Sequence, residues 1–199
     1  MSKAGQQTGR SCNCVDPSTR RGFLTAVSVL GLELAADGLP ASAEAASERP
    51  KEGDFLVSIE SETPERLAPA DIPLGGPALL AWPIDPATGT VRKDSRLNKV
   101  LLVRLDPATL VGSTVDRAAE GVVAYSAICP HAGCEVNGWM ADQQILECSC
   151  HYSHYNPREG AAVIDGPATR ALPALPLKLV DGKLAVAKPF TSRVGIVPT

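Results

Sequence analysis

The placement of its cysteines and histidines constrains this chain more than any other feature. Four of its six cysteines and all three histidines fall within residues 129–154. They form two runs, "CPHAGC" (Cys129 to Cys134) and "CSCHYSHY" (Cys148 to Tyr155). Thiolates and imidazoles are the usual protein ligands for zinc and iron, so such clustering points to two loops meeting around a metal centre. Four thiols (Cys129, Cys134, Cys148, Cys150) and three imidazoles (His131, His151, His154) allow several partitions. A tetrahedral zinc site would draw two of each, but zinc modules usually pair like ligands, as C-x2–4-C and H-x3–5-H. Here each run mixes the types, C-x-H in the first and C-x-x-H in the second. That symmetry suits a dinuclear centre, with each run giving one thiolate to one iron and one imidazole to the other. A structural zinc-binding β domain without redox activity is the competing reading.

The rest of the chain reads as the scaffold for those loops. Short apolar runs at 54–60, 78–84, 99–105, 121–128, 161–164, 175–180 and 183–187 read as strands, and Asp181-Gly182 between the last two signals a hairpin. The run "GVVAYSAI" leads directly into Cys129. Residues 107–120 are the one fair candidate for a short helix, and no long helical periodicity or internal repeat is present. With 17 glycines, 17 prolines and 4% aromatics, the pattern predicts an all-β fold, sandwich or barrel-like, over residues 54–190. The polar stretch "SERPKEG" (47–53) reads as a flexible lead-in within a linker at 46–53, and residues 191–199 as a C-terminal tail. A net charge of −3 gives no reason to expect nucleic acid as a partner.

The N-terminus reads as an address. In "STRRGFLTAVSVLGLELAA" (18–36) a paired arginine precedes an apolar run, and "PASAEAAS" supplies small residues for cleavage after Ala43 or Ala45. The string resembles a twin-arginine signal, which exports proteins already folded. The uncharged stretch from Gly22 to Leu32 is only 11 residues before Glu33 and Asp37 intervene. A spanning helix needs about 20 apolar residues, so the expectation is a cleaved signal over residues 1–45 rather than an anchor. Cys12 and Cys14 would leave with it. The destination would be the periplasm or the outer face of the membrane, where disulfides persist.

The two runs resemble the cluster-binding loops of Rieske iron–sulfur proteins. The likeness implies a Rieske-type fold of small antiparallel sheets with two loops (129–134 and 148–155) at one end. It implies one [2Fe-2S] cluster, with Cys129 and Cys148 on one iron and His131 and His151 on the other. Neutral imidazoles in place of thiolates make the reduced state less disfavoured, giving potentials of about −150 to +300 mV against about −400 mV for plant-type ferredoxins. Cys134 and Cys150 match the inter-loop disulfide of the family's high-potential branch. Ser153 and Tyr155 match hydroxyls that donate to a bridging sulfide and a cysteine sulfur, raising the potential. "GPATRALP" (166–173) resembles the proline-containing loop that covers the cluster on a third side. Pro130 and Ser149 stand where Thr and Pro are commoner, Tyr152 replaces a frequent Gly, and Asn156 a frequent Asp. His154 is left as a solvent-facing loop residue.

By this resemblance the chain is a one-electron carrier within an oxidoreductase complex rather than a stand-alone catalyst. Its partners would be a redox subunit and a c-type cytochrome or similar acceptor, with peripheral membrane association. Two settings fit. One is the iron–sulfur subunit of a bc-type quinol-oxidising complex. The other is the small subunit of a periplasmic oxidase, since "VAYSAICPHAGC" with "GPAT" looks similar to small subunits of arsenite oxidases.

Overall fold

A computed structural model describes residues 41–196. The twin-arginine string and the apolar run after it lie outside the described residues. Among those described, no helix is long and apolar enough to cross a membrane. The first element is a short helix, α1 (Ala41–Ser47).

Among the described residues, ten strands form two antiparallel sheets. The larger has the order β4-β3-β2-β1-β10-β9. Its members are β1 (Phe55–Ser58), β2 (Leu79–Ile84), β3 (Val100–Arg104), β4 (Val122–Ser126), β9 (Leu177–Val180) and β10 (Lys183–Val186). Its edges curl toward each other, and the Leu175 N–H donates to the Ala124 carbonyl at 2.9 Å. The smaller sheet, β5-β6-β7-β8, comprises β5 (Gly138–Met140), β6 (Ile145–Cys148), β7 (Ser153–Asn156) and β8 (Ala162–Asp165).

Alternation along the strands buries apolar side chains on both faces of the large sheet. Leu101 and Val103 of β3 join Val123 and Tyr125 of β4 in a core shared with the small sheet. Their neighbours Val100, Leu102, Val122 and Ala124 point the other way, into a core with Leu56, Leu175 and Leu184. A strand buried on both faces reads as a continuous apolar run, which is why β3 and β4 stand out in the sequence. The hairpin at Asp181-Gly182 is present, with φ of 50° and 73°, as a type I′ turn demands.

The small sheet is an excursion from the large one. The chain leaves β4 and returns beside it, where Tyr125 bridges Ala174 and the Ser126 N–H donates to the Pro173 carbonyl at 2.8 Å. Everything between, including both cysteine–histidine runs, belongs to this excursion, which packs on Leu101, Val103, Val123 and Tyr125. The Tyr125 hydroxyl, buried, donates to the Pro157 carbonyl at 2.7 Å and ties the base of the excursion to β4.

Three expectations change. Residues 107–120 make two 3-10 turns, Pro107–Thr109 and Gly112–Arg117, and not an α-helix. Leu110 and Val111 between them are extended, and Gly112 sits at φ +57°. The segment 47–53 is not a loose lead-in. Pro50 is buried, and Glu48 accepts from Arg92 at 2.8 Å. Beyond residue 190, Val194 and Gly195 are buried against the body.

Arg92 explains the first of those packed ends. It is 1% exposed and forks onto Asp54, with Nε–Oδ2 at 2.7 Å and Nη2–Oδ1 at 3.1 Å. It also reaches Asp85 at 3.2 Å and the Ala45 carbonyl at 2.9 Å. A buried guanidinium is tolerable only when its donors are met by carboxylates and carbonyls, as they are here.

Candidate metal centre

Each cysteine–histidine run is a turn closed by strand pairing. The first spans residues 129–134 and is pinned where Ile128 bridges Glu135. Inside it the Cys129 N–H donates to the Cys134 carbonyl at 2.8 Å, and the Gly133 N–H to the Cys129 carbonyl at 3.0 Å. The second is the connection from β6 to β7, closed by the Cys148–Ser153 pair. There the Tyr152 N–H donates to the Cys148 carbonyl at 2.9 Å, and Tyr152 takes φ +56°. A left-handed position favours glycine, so the family's frequent Gly has a physical reason and Tyr152 departs from it at a cost of about 1 kcal/mol.

The disulfide expected between the loops is present, joining Cys134 to Cys150 with Cα atoms 6.5 Å apart. The sulfurs of Cys134, Cys148 and Cys150 all lie within 4.8 Å of one another. Since two of them are bonded together, only Cys148 of the three keeps a thiol for a metal.

That leaves Cys129 and Cys148, both free and both 1% exposed. Burial pushes the Cys148 thiol up, with the neighbouring Cys129 sulfur adding to the shift. The two imidazoles lie to the outside, His131 half-buried and His151 exposed, their ring centroids 4.6 Å apart and their planes perpendicular. His131 Nδ1 is buried without a hydrogen-bond partner among the described residues. An unmet buried nitrogen is costly, and a bound group would offer this one a partner. Two sulfurs inward, two imidazoles outward and an orphaned Nδ1 fit a cluster with chemically different ends.

The surrounding hydroxyls face the same place. The Tyr155 hydroxyl, fully buried on β7, lies 3.1 Å from Cys129 Sγ. Burial first, and then the Cys129 sulfur, raise its pKa well above the ordinary phenol value, so it stays protonated. Ser153, 1% exposed, accepts from the Ala168 N–H at 3.1 Å, leaving its own proton for another acceptor. That bond fastens "GPATRALP" to the second loop. Gly166 packs so closely there that a Cβ would come within 2.5 Å of the Ser153 Cα.

His154 is not a solvent-facing loop residue. It lies on β7 opposite Glu147 of β6, and its Nε2 meets the Glu147 carboxylate at 2.9 Å. The sequence reading also passed over Arg96, whose guanidinium donates to the Gly133 carbonyl in the first loop. Nothing in the local sequence distinguishes Arg96 from a surface arginine.

Residues 88–176 match the Rieske [2Fe-2S] domain. A cytochrome bc1 complex Rieske iron-sulfur subunit of Streptomyces lividans is 31% identical over 147 residues, which are 72% of this chain and 85% of that protein. The chain belongs to the Rieske family. A putative respiratory nitrate reductase subunit Rieske of Haloferax mediterranei is 42% identical over 76 residues, 38% of this chain and 34% of that protein. The chain spans 41% of the length of the matching Streptomyces coelicolor bc1 Rieske subunit. Among solved structures, the soluble domain of Rieske protein II from Sulfolobus acidocaldarius superposes with a TM-score of 0.39 at 24% identity, over 51% of this chain and 68% of that one. A Rieske domain carries one [2Fe-2S] cluster, and this membership sets aside the zinc module.

Proposed function

We propose that the chain is the electron-carrying subunit of an exported respiratory oxidoreductase, with Cys129 and Cys148 holding one iron of its cluster and His131 and His151 the other. The observation that carries this is the segregation of the site, with two buried thiols on one side and the orphaned His131 Nδ1 beside the exposed His151 ring on the other. When bound, the cluster supplies a one-electron couple. The protein's part is to bury the sulfur end, donate to it from Tyr155 and Ser153, and leave the imidazole edge open to a partner. The His151 ring is exposed, so a donor such as a quinol can reach the imidazole edge directly.

Two settings remain within the proposal. The named bc1 subunits among the relatives support a bc-type quinol-oxidising complex. The alternative, a small subunit in a periplasmic oxidase of the arsenite-oxidase type, rests on the likeness of "VAYSAICPHAGC" and "GPAT", and the relative named as a nitrate reductase Rieske subunit supports a setting other than the bc1 complex. A c-type cytochrome is the proposed acceptor in either case. The twin-arginine string supports export, with the periplasm or the outer face of the bacterial cytoplasmic membrane as the destination.

Purified protein should contain two irons and two acid-labile sulfides per chain. Its reduced form should give an EPR signal with average g well below that of all-cysteine clusters. One bound zinc and no response to dithionite would overturn the assignment. His151→Cys should lower the potential or abolish assembly, and an unchanged potential would remove His151 from the ligand set.

A further inference from the structure

We propose that the face beside the first cluster loop is a docking surface for an acidic partner protein, built from Arg49, Arg96, Arg170 and Arg193. The inference rests on the electron-carrier reading and adds the chemistry of the partner's surface.

A chain of contacts brings the four arginines together. Arg49 donates to the Leu97 carbonyl at 3.1 Å, next to Arg96 in sequence. Arg96 donates to the Gly133 carbonyl, two residues from His131. Gly195 packs on Leu97, and its carbonyl accepts from Arg170 at 2.6 Å. Arg193 and Arg49 line one groove of about 240 Å³ floored by Pro50, Phe190 and Val194. Three of the four side chains are exposed, and Arg170 is half-buried.

None of the four lies within ion-pairing distance of a carboxylate among the described residues, whereas Lys51, Arg92, Lys99 and Lys178 all do. Asp94 is two residues from Arg96 and pairs with nothing there either. The chain as a whole is acidic, at −3, so this concentration of unneutralised positive charge runs against the overall field. Backbone carbonyls hold Arg49, Arg96 and Arg170 in place but use only part of each five-donor fork. The remaining donors suit carboxylates, which a guanidinium can grip with two parallel bonds.

A protein surface fits better than a lipid one. Arginine and an aromatic lining one groove are residue types enriched at protein interfaces. The patch also adjoins the loop that carries His131, so a partner seated on it would lie beside the cluster edge. Association is the claim. The transfer that follows moves one electron from the reduced protein to a one-electron acceptor in the partner, and the patch moves no proton.

The test uses the reduced holo-protein in a stopped-flow instrument, with a soluble acidic blue-copper protein or a basic c-type cytochrome as oxidant. Between low and physiological salt, the rate with the acidic oxidant should fall about tenfold, as steered encounters do. The rate with the basic oxidant should not fall. Arg49→Gln/Arg193→Gln should flatten that dependence, and Arg49→Glu/Arg193→Glu should reverse it, with the reduced EPR spectrum and potential unchanged. The overall charge of the chain predicts the opposite signs for the two oxidants. That outcome, or variants with the parent's salt dependence, would overturn the proposal. So would salt-sensitive sedimentation with phosphatidylglycerol vesicles that the Glu variant abolishes while the acidic-protein rates stay unchanged, since the partner would then be a membrane. Binding of the zinc-substituted copper protein, followed by calorimetry, gives a readout independent of electron transfer. If it binds in a salt-sensitive way yet neither oxidant reoxidises the protein, the docking face stands and the electron-carrier reading falls.

Discussion

The Tyr155 hydroxyl sits 3.1 Å from Cys129 Sγ, and neither residue reaches solvent. A donor aimed at a sulfur that becomes more negative on reduction favours the reduced state. Tyr155→Phe should therefore lower the potential by tens of millivolts, on a scale where about 59 mV is tenfold for a one-electron couple. Protein-film voltammetry checks this, and a potential equal to the parent's would show that the hydroxyl does not act on the cluster.

The Cys134–Cys150 bond closes a loop between residues 16 apart. Chain-entropy reasoning puts its contribution at about 3 kcal/mol. Cys134→Ser/Cys150→Ser should lose that much in denaturant unfolding of the oxidised protein. The parent under strong reductant should lose a similar amount, and a parent indifferent to reductant would mean the bond carries little stability.

Gly166 has no room for a side chain, with the Tyr152 carbonyl 2.6 Å from where its Cβ would be and φ at +91°. Gly166→Ala should displace "GPATRALP" from the second loop, break the Ala168–Ser153 bond and destabilise by about 1–3 kcal/mol. Its potential should move with its stability. A loop that swings away harmlessly would leave the potential untouched.

Tyr152 offers the reverse experiment. It occupies a left-handed position with its ring 65% exposed, so it gains little packing in return. Tyr152→Gly should hold stability within about 1 kcal/mol of the parent or raise it. A larger loss in thermal unfolding would reveal packing that the ring's exposure conceals.

The Arg92 cluster should make stability depend on acid. Asp85 has its carboxyl held below the usual range, first by the Ala87 N–H and further by Arg92. A depressed folded pKa adds stability that is present above the unfolded value of about 3.8 and is lost as pH falls through the lower folded value. Asp85→Asn should therefore be less stable than the parent at neutral pH, with the difference closing below about pH 4. Asp54→Ala leaves a buried charge less paired and should cost about 3–5 kcal/mol. Urea unfolding across pH 3–7 would check both.

Much of this was legible because the physics was local. Strands β3 and β4 are buried on both faces and announce themselves as apolar runs, and Asp181-Gly182 names its own turn. The Cys and His clustering pointed to the site because thiols and imidazoles so close in sequence are metal-ligand chemistry, and the Rieske resemblance chose among the partitions they allow. What escaped depends on distant partners. Strand β7, "SHYN", has no apolar run to mark it and forms only because β6 and β8 pair on either side. Arg92 reads as a surface residue until β1 and β2 bring Asp54 and Asp85 to it. His154 is a loop residue by composition and a strand residue by pairing with Glu147.

The excursion between Ser126 and Pro173 leaves and rejoins the large sheet at neighbouring points. A segment with adjacent ends can be exchanged without re-routing the remainder. The redox tip is thus a cassette, joined to the platform of β1–β4, β9 and β10 at one place and through the core that Leu101, Val103, Val123 and Tyr125 share with it. Grafting the equivalent stretch of a relative between those two residues, with the side chains facing Leu101, Val103, Val123 and Tyr125 kept, would transplant a potential while leaving the host's fold in place.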